Sequence, residues 1–166
     1  MTLKEKDIGM ITTQAISGYS LFSGLNENEL EKLITLITMI RFDAGSLILR
    51  ESTLSSDLYI LRSGRISIEL DVSSYNTSGR EQIVILRPGD IFGEIAFLEN
   101  KRRSAHVIAL DPVEAIHIDG TKLKELFITN YKIGFMIMQN IALTLTHRLI
   151  DTNFKWRNGI RGNPPY

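Results

Sequence analysis

From Met39 to about Ile118 the chain breaks into short segments rich in β-branched residues, and no other feature limits its fold so strongly. The segments are TMIRF, SLILRE, DLYILRS, RISIELDV, QIVILRP, SAHVIAL and VEAIHI. Many alternate apolar and polar residues, as a strand with one face turned inward requires. Turn signals separate them: Asp43-Ala44-Gly45, Ser63-Gly64, Asn76-Thr77-Ser78-Gly79, Pro88-Gly89 and Asp111-Pro112. Seven or eight strands so punctuated imply an all-β sandwich or jelly roll. Gly93 to Leu98 interrupts the series as a turn followed by a single helical turn.

Helical patterns flank this β region. Ile8, Ile11, Ala15 and Ile16 suggest a short amphipathic helix within residues 3–17. A second helix starts after Asn26, which caps it while Glu29 reaches back to close a capping box. Leu25 and Leu30 are placed as a hydrophobic staple, and Leu30, Leu33, Ile34 and Ile37 form one apolar face. Beyond Asp119 come Leu123, Leu126 and Phe127, then a long helix from about Lys132 to Phe154. Phe135, Met138, Ala142, Leu145, Leu149, Thr152 and Trp156 follow one another at alternating steps of three and four, a heptad-like seam. Ile137 and Ile141 lie on a neighbouring face suited to packing on the β body. The expected organisation is an N-terminal helical segment (1–20), a β domain (21–130), a lid or dimerisation helix (131–154) and a flexible tail (155–166).

The chain of 166 residues has a formal net charge of zero, which disfavours nucleic-acid binding driven mainly by charge. It has no cysteine, so disulfides, thiolate nucleophiles and cysteine-zinc sites are excluded. No unbroken apolar stretch is long enough for a signal-peptide core or a membrane span, and a cytoplasmic protein is expected.

Candidate chemistry concentrates in FGEIAFLENKRRSA, residues 92–105. Gly93 lacks a Cβ and permits close backbone approach. The amides of Ile95 and Ala96 would open a one-turn helix, Arg103 offers a planar fork of donors to an anion, and Ser104 adds a hydroxyl. Glu94 would repel an anion unless the same ligand also brings hydroxyl donors, as a ribose beside a phosphate does. The alternative is a surface ion pair between Glu94 and Arg103, worth about 0–1 kcal/mol. Lys101 and Arg102 are expected as solvated turn residues.

This stretch closely resembles the phosphate-binding cassette of cyclic nucleotide-binding domains, in which Phe-Gly-Glu-Leu-Ala precedes Arg-Ser-Ala or Arg-Ala-Ala. LFSGLNENELEKL, FDAGSLILRE, DLYILRSGRISI and LRPGDIFGE resemble the same family, so the likeness runs from about Leu21 to Asn153. It implies an eight-stranded β roll with N-terminal helices and a long C-terminal helix. It also implies that Glu94 accepts from the ribose 2′-hydroxyl and that Arg103 pairs with the cyclic phosphate. Ser104, Ala105 and the amides near Ile95 and Ala96 would complete the phosphate cradle, with Gly93 admitting the ribose. Ile83 and Val84 would line the base pocket. One departure is the turn Arg50-Glu51-Ser52-Thr53, where family members commonly carry a glycine.

Arg148-Leu149-Ile150-Asp151-Thr152-Asn153 is similar to the base-contacting helix of the bacterial catabolite-activator branch, and Thr152 and Asn153 are candidate adenine contacts or ordinary helix-end residues. Arg-Ser-Ala resembles the cAMP-binding form, so cAMP is expected ahead of cGMP. The resemblance further implies a homodimer through the long helix, and movement of the helices after the cassette on binding that signals to an unidentified protein effector. With only about thirteen residues after Asn153, direct DNA binding is not expected. The competing function is a nucleotide-free interaction module that keeps the fold. His106, His117 and His147 are scattered, without the spacing of a metal-dependent enzyme, and neither catalysis nor a metal or cofactor is expected.

Overall fold

The computed structural model describes residues 11–74 and 77–162, without the side chains of residues 73–78 and 160–162. Eight antiparallel strands form two four-stranded sheets. The first holds β1 (Ile37–Phe42), β8 (Val113–Ile118), β3 (Leu58–Ser63) and β6 (Ile91–Phe92), in that order; the second holds β2 (Leu47–Leu49), β7 (His106–Ala109), β4 (Ile66–Ser74) and β5 (Thr77–Leu86). Helices α1 (Thr13–Ser17), α2 (Glu27–Ile34), α4 (Gly120–Thr129) and α5 (Tyr131–Gly162) flank the roll, and α3 (Glu94–Glu99) interrupts it.

The first sheet is buried on both faces, which explains why β3 does not alternate. Leu58 and Ile60 join Leu33, Leu123, Ile133, Ile137 and Ile141 in a core under the helices. Tyr59 and Leu61 point the other way and join Ile66, Val107 and Ala115 between the sheets. The expected capping box is present: the Asn26 side chain accepts from the Glu29 amide at 3.0 Å, and the Glu29 carboxylate accepts from the Asn26 amide at 2.9 Å.

Five boundaries differ from the sequence reading. Ile37, expected on the apolar face of the second helix, opens β1 instead, because α2 ends at Ile34. Strand β6 is added, too short at two residues to show a period, and is held by the pairs Tyr59–Phe92 and Ile60–Ile91. β5 already begins at Thr77, because Ser78 and Gly79 continue the ladder opposite Ser73 and Val72 instead of turning. The first helix starts at Thr13 with Thr12 as its cap, and its expected portion on residues 3–10, including Ile8, lies outside the described residues. The long helix runs past Phe154 to Gly162. Lys155, Trp156 and Arg157 sustain it, so the segment expected as a flexible tail is helical up to Gly162. At 32 residues α5 is about 48 Å long, and Asp151 to Gly159 are exposed throughout.

Candidate functional site

β6 delivers the chain to Gly93, which caps α3 in the left-handed region at φ 82°. A Cβ there would lie 2.5 Å from Arg103 Nη1 and 2.9 Å from the Asp57 carbonyl oxygen. The bare glycine thus makes room for the arginine of the same cassette, a role beside the close ligand approach expected of it.

Arg103 is held from behind. Its Nη1 donates to the carbonyls of Asp57 (2.9 Å) and Gly93 (3.0 Å), and its Nη2 donates to Ser55 Oγ (2.8 Å). Its backbone exchanges bonds with the turn after β2, Ser52 N–H donating to the Arg103 carbonyl and Arg103 N–H to that of Thr53. In that turn Ser52 has φ 63°, the conformation that the missing glycine would adopt without strain. Arg103 is only 3% exposed. Burial lowers its pKa, opposed by Tyr59, Asp57 and Glu94. Among the described residues no carboxylate reaches ion-pair distance of it, so the surface pair with Glu94 is not formed, and its Nε has no hydrogen-bond partner.

Glu94, 5% exposed, pairs instead with Arg148 of α5: Nη1 donates to Oε1 at 2.8 Å. Arg148 Nη2 donates to the Ile91 carbonyl at 2.5 Å. Burial raises the Glu94 pKa, with the charges of Arg148 and Arg103 pulling the other way. Arg148 is the residue that sequence reasoning missed, although Arg148-Leu149 was the landmark used to find Thr152. Arg102, expected as a solvated turn residue, is exposed, and its Nη1 donates to the Ser52 carbonyl at 2.7 Å.

Glu94 and Arg103 face one cavity of about 680 Å³. Gly93, Ile95, Ala96, Ser104, Ala105, Ile83, Val84 and Thr152 also line it; Asn153 does not. Thr152 presently spends its hydroxyl on the Arg148 carbonyl at 2.8 Å. Charged Asp151 and Lys155 stand on the α5 wall beside Leu145 and Leu149. A second cavity of about 420 Å³, lined by Ser20, Asn140 and His147, shares Asp90, Arg148 and Asp151 with the first, so Arg148 stands between the two.

The histidines have other partners. His106 is buried, with Glu51 N–H donating to its Nδ1 at 3.2 Å and its Nε2 lying 3.0 Å from Asp71 Oδ2. An accepting Nδ1 leaves the proton on Nε2. Although the ligating atoms of Glu51, Asp71 and His106 lie within 4.8 Å of one another, that tautomer has no lone pair to offer a metal.

The family model for the cyclic nucleotide-binding domain matches residues 39–130. The chain belongs to that family. Within this cyclic nucleotide-binding domain, Glu94 and Arg103 lie inside the matched region, whereas Arg148 and Thr152 lie beyond it. A cGMP-dependent protein kinase of Caenorhabditis briggsae is 30% identical over 105 residues, 63% of this chain and 14% of the kinase. The cyclic AMP receptor protein of Thermus thermophilus is 23% identical over 141 residues, 84% of this chain and 62% of the receptor. The domain thus spans only part of either relative. Among solved structures, a cyclic nucleotide-binding domain from Methylobacillus flagellatus superposes with a TM-score of 0.74 at 19% identity, covering 86% of this chain and 79% of the other. Thermus thermophilus catabolite activator protein gives 0.65 at 22%, covering 83% and 62%. These likenesses establish the β roll with its long C-terminal helix. Among the described residues no helix is long and apolar enough to cross a membrane.

Proposed function

We propose that this domain is a cyclic nucleotide sensor that binds cAMP in preference to cGMP and signals through α5. The observation that carries the reading is Arg103, a buried cation with no ion-pair partner among the described residues and an unpartnered Nε, on the wall of a cavity. Burying an unpaired charge is costly, and an anion in the cavity removes the cost. A cyclic phosphate is such an anion, with Ser104 as a further donor. The neighbouring ribose 2′-hydroxyl is then received by Glu94 on the carboxylate oxygen that Arg148 does not use. The base lies against Ile83 and Val84, near Thr152; Asn153 is placed less well for contact.

Glu94 joins the cavity to α5 through Arg148, so a ligand on Glu94 biases the position of that helix. Binding shifts a population of α5 arrangements present in the free protein. The seam gives the output a partner. Phe135, Leu149 and Trp156 are 65%, 61% and 71% exposed, while the stripe of Ile133, Ile137 and Ile141 is already spent on the domain's own core. A second copy of α5 covers the seam and makes a homodimer, and the dimer passes the signal to a protein effector.

Support for cAMP comes from Ser104 after Arg103, and from the likeness to the cyclic AMP receptor protein, which extends over 84% of this chain against 63% for the cGMP-dependent kinase. The alternative, a nucleotide-free interaction module, draws on Arg148 already satisfying Glu94; the bare Nε of Arg103 weighs against it. Charge-assisted bonds contribute about 1.5–3 kcal/mol each, so Arg103→Ala should weaken cAMP binding by roughly 100-fold or more. Calorimetric titration of a variant whose circular dichroism shows a folded roll checks this, and unchanged affinity would remove Arg103 from the phosphate.

A further inference from the structure

Behind Arg103 a chain of polar groups runs to the outer edge of the first sheet. Ser55 Oγ accepts from Arg103 Nη2 at 2.8 Å and donates to Asp57 Oδ2 at 3.1 Å. Asp57 Oδ2 lies 3.3 Å from His117 Nε2, and His117 Nδ1 lies 3.0 Å from Thr38 Oγ1. The other Asp57 oxygen accepts from the Gly120 amide at 3.1 Å, which fixes the carboxylate in place. His117, next to the C-terminal end of β8 and paired with Thr38 of β1 and Tyr59 of β3, is 21% exposed at its side chain, enough to exchange protons with water.

We propose that Ser55, Asp57 and His117 are positioning residues that form a proton-sensitive brace for Arg103, so that the cavity holds its anion more tightly when His117 is charged. This rests on the reading that Arg103 meets the cyclic phosphate. The chemistry follows from the Thr38 hydroxyl, which can donate or accept. With neutral His117, Nε2–H donates to Asp57 and Nδ1 accepts from Thr38. With charged His117, both nitrogens donate and Thr38 accepts. The ring therefore keeps both hydrogen bonds in either state, and only the charge differs.

That charge alters what Arg103 offers. Beside a neutral ring, the negative charge of the Asp57 carboxylate, one hydroxyl away through Ser55, partly offsets the charge that Arg103 presents to the ligand. Beside a charged ring, the carboxylate is already paired, and the potential in the cavity rises by one unit charge at a distance. One such charge about 10 Å from an anion, partly screened, changes affinity roughly three-fold. The remaining groups that face His117 do not substitute for it. Tyr59 presents its ring at 5.1 Å, and Asp119 is engaged by the Thr121 and Lys122 amides and by the Lys122 ammonium at 3.3 Å. Arg41, Arg62 and Glu114 form their own group three residues along β8. The low pKa of Asp57, about 2 with the His117 bond as its main cause, agrees with a carboxylate that stays ionised throughout.

The linkage has a definite sign. Bound anion favours charged His117, so affinity falls as pH rises through the histidine range of about pH 5 to 8. The test is calorimetric titration of cAMP at about pH 6 and about pH 8 into the whole chain and into His117→Gln, which can keep both hydrogen bonds without titrating. Every other ionisable group is common to the two proteins, so the difference between them isolates His117. The expected result is an affinity about three-fold higher at the lower pH in the parent, with that difference reduced or gone in the variant. The same pH dependence in both proteins, or none in the parent, overturns the brace while leaving the cAMP site standing. Absence of cAMP binding to the parent at either pH overturns the site and the brace with it. Should the variant fail to fold, NMR titration of the parent's His117 ring decides: saturating cAMP must raise its midpoint, and an unmoved midpoint is a contrary result.

Discussion

At the scale of single residues, the cassette works because two left-handed backbone positions, two carbonyls and the Ser55 hydroxyl place Arg103. Gly93→Ala would strain a φ of 82° and drive a methyl against Arg103 Nη1. It should cost about 1–3 kcal/mol of stability in a thermal melt and weaken cAMP binding. Ser52 occupies the same region without a glycine's freedom, at φ 63°. Ser52→Gly should gain about 0.5–1 kcal/mol, the relief of left-handed strain less the entropy that glycine loses on folding. Asp57 belongs to the opposite case, a carboxyl lowered from 3.8 to about 2. Its contribution to stability is complete above the unfolded value and is lost as pH falls through the folded one, between about 4 and 2. Acid unfolding of Asp57→Asn should lack this component. Glu94, Arg103 and Ser104 were legible because they stand together in one stretch of sequence. Ser55 and Asp57 were not, since they meet Arg103 across 48 and 46 residues and no local pattern marks them.

At the scale of elements, α5 divides its surface between the domain's own core and the outside. Its helical period could be read from spacing, because a helix face is a local property. Its end could not, since the segment after Phe154, expected as a flexible tail, continues the helix to Gly162. Nor could the Arg148–Glu94 contact, which spans 54 residues. Removing Arg148 leaves Glu94 buried and unpaired, and its already raised pKa should climb further. Arg148→Ala should therefore bind cAMP about ten-fold more weakly, and its affinity should drop further as pH is lowered and Glu94 takes up a proton. Calorimetry across pH checks both effects. For the seam, Leu149→Glu combined with Trp156→Glu should convert a dimer to a monomer in sedimentation equilibrium. A parent chain that sediments as a monomer would contradict the seam's assignment.

For the molecule as a whole, the β roll is a frame that brings β4, β5, the α3 cassette and α5 around one cavity. Most of that frame was legible, because strand period and turn chemistry are written locally in the segments from Met39 to Ile118. β6 escaped because two residues carry no period, and β5 started early because the β4 ladder extends it. The ligand site is half local and half assembled: the cassette announces itself, while the α5 wall depends on how a long helix crosses the roll. The most direct measurement of the central claim is calorimetric titration of the whole chain with cAMP and, in parallel, with cGMP. Saturable cAMP binding in the micromolar range or tighter, with cGMP weaker, is the predicted result. Saturable binding of neither nucleotide would contradict the account, and the interaction-module reading would take its place.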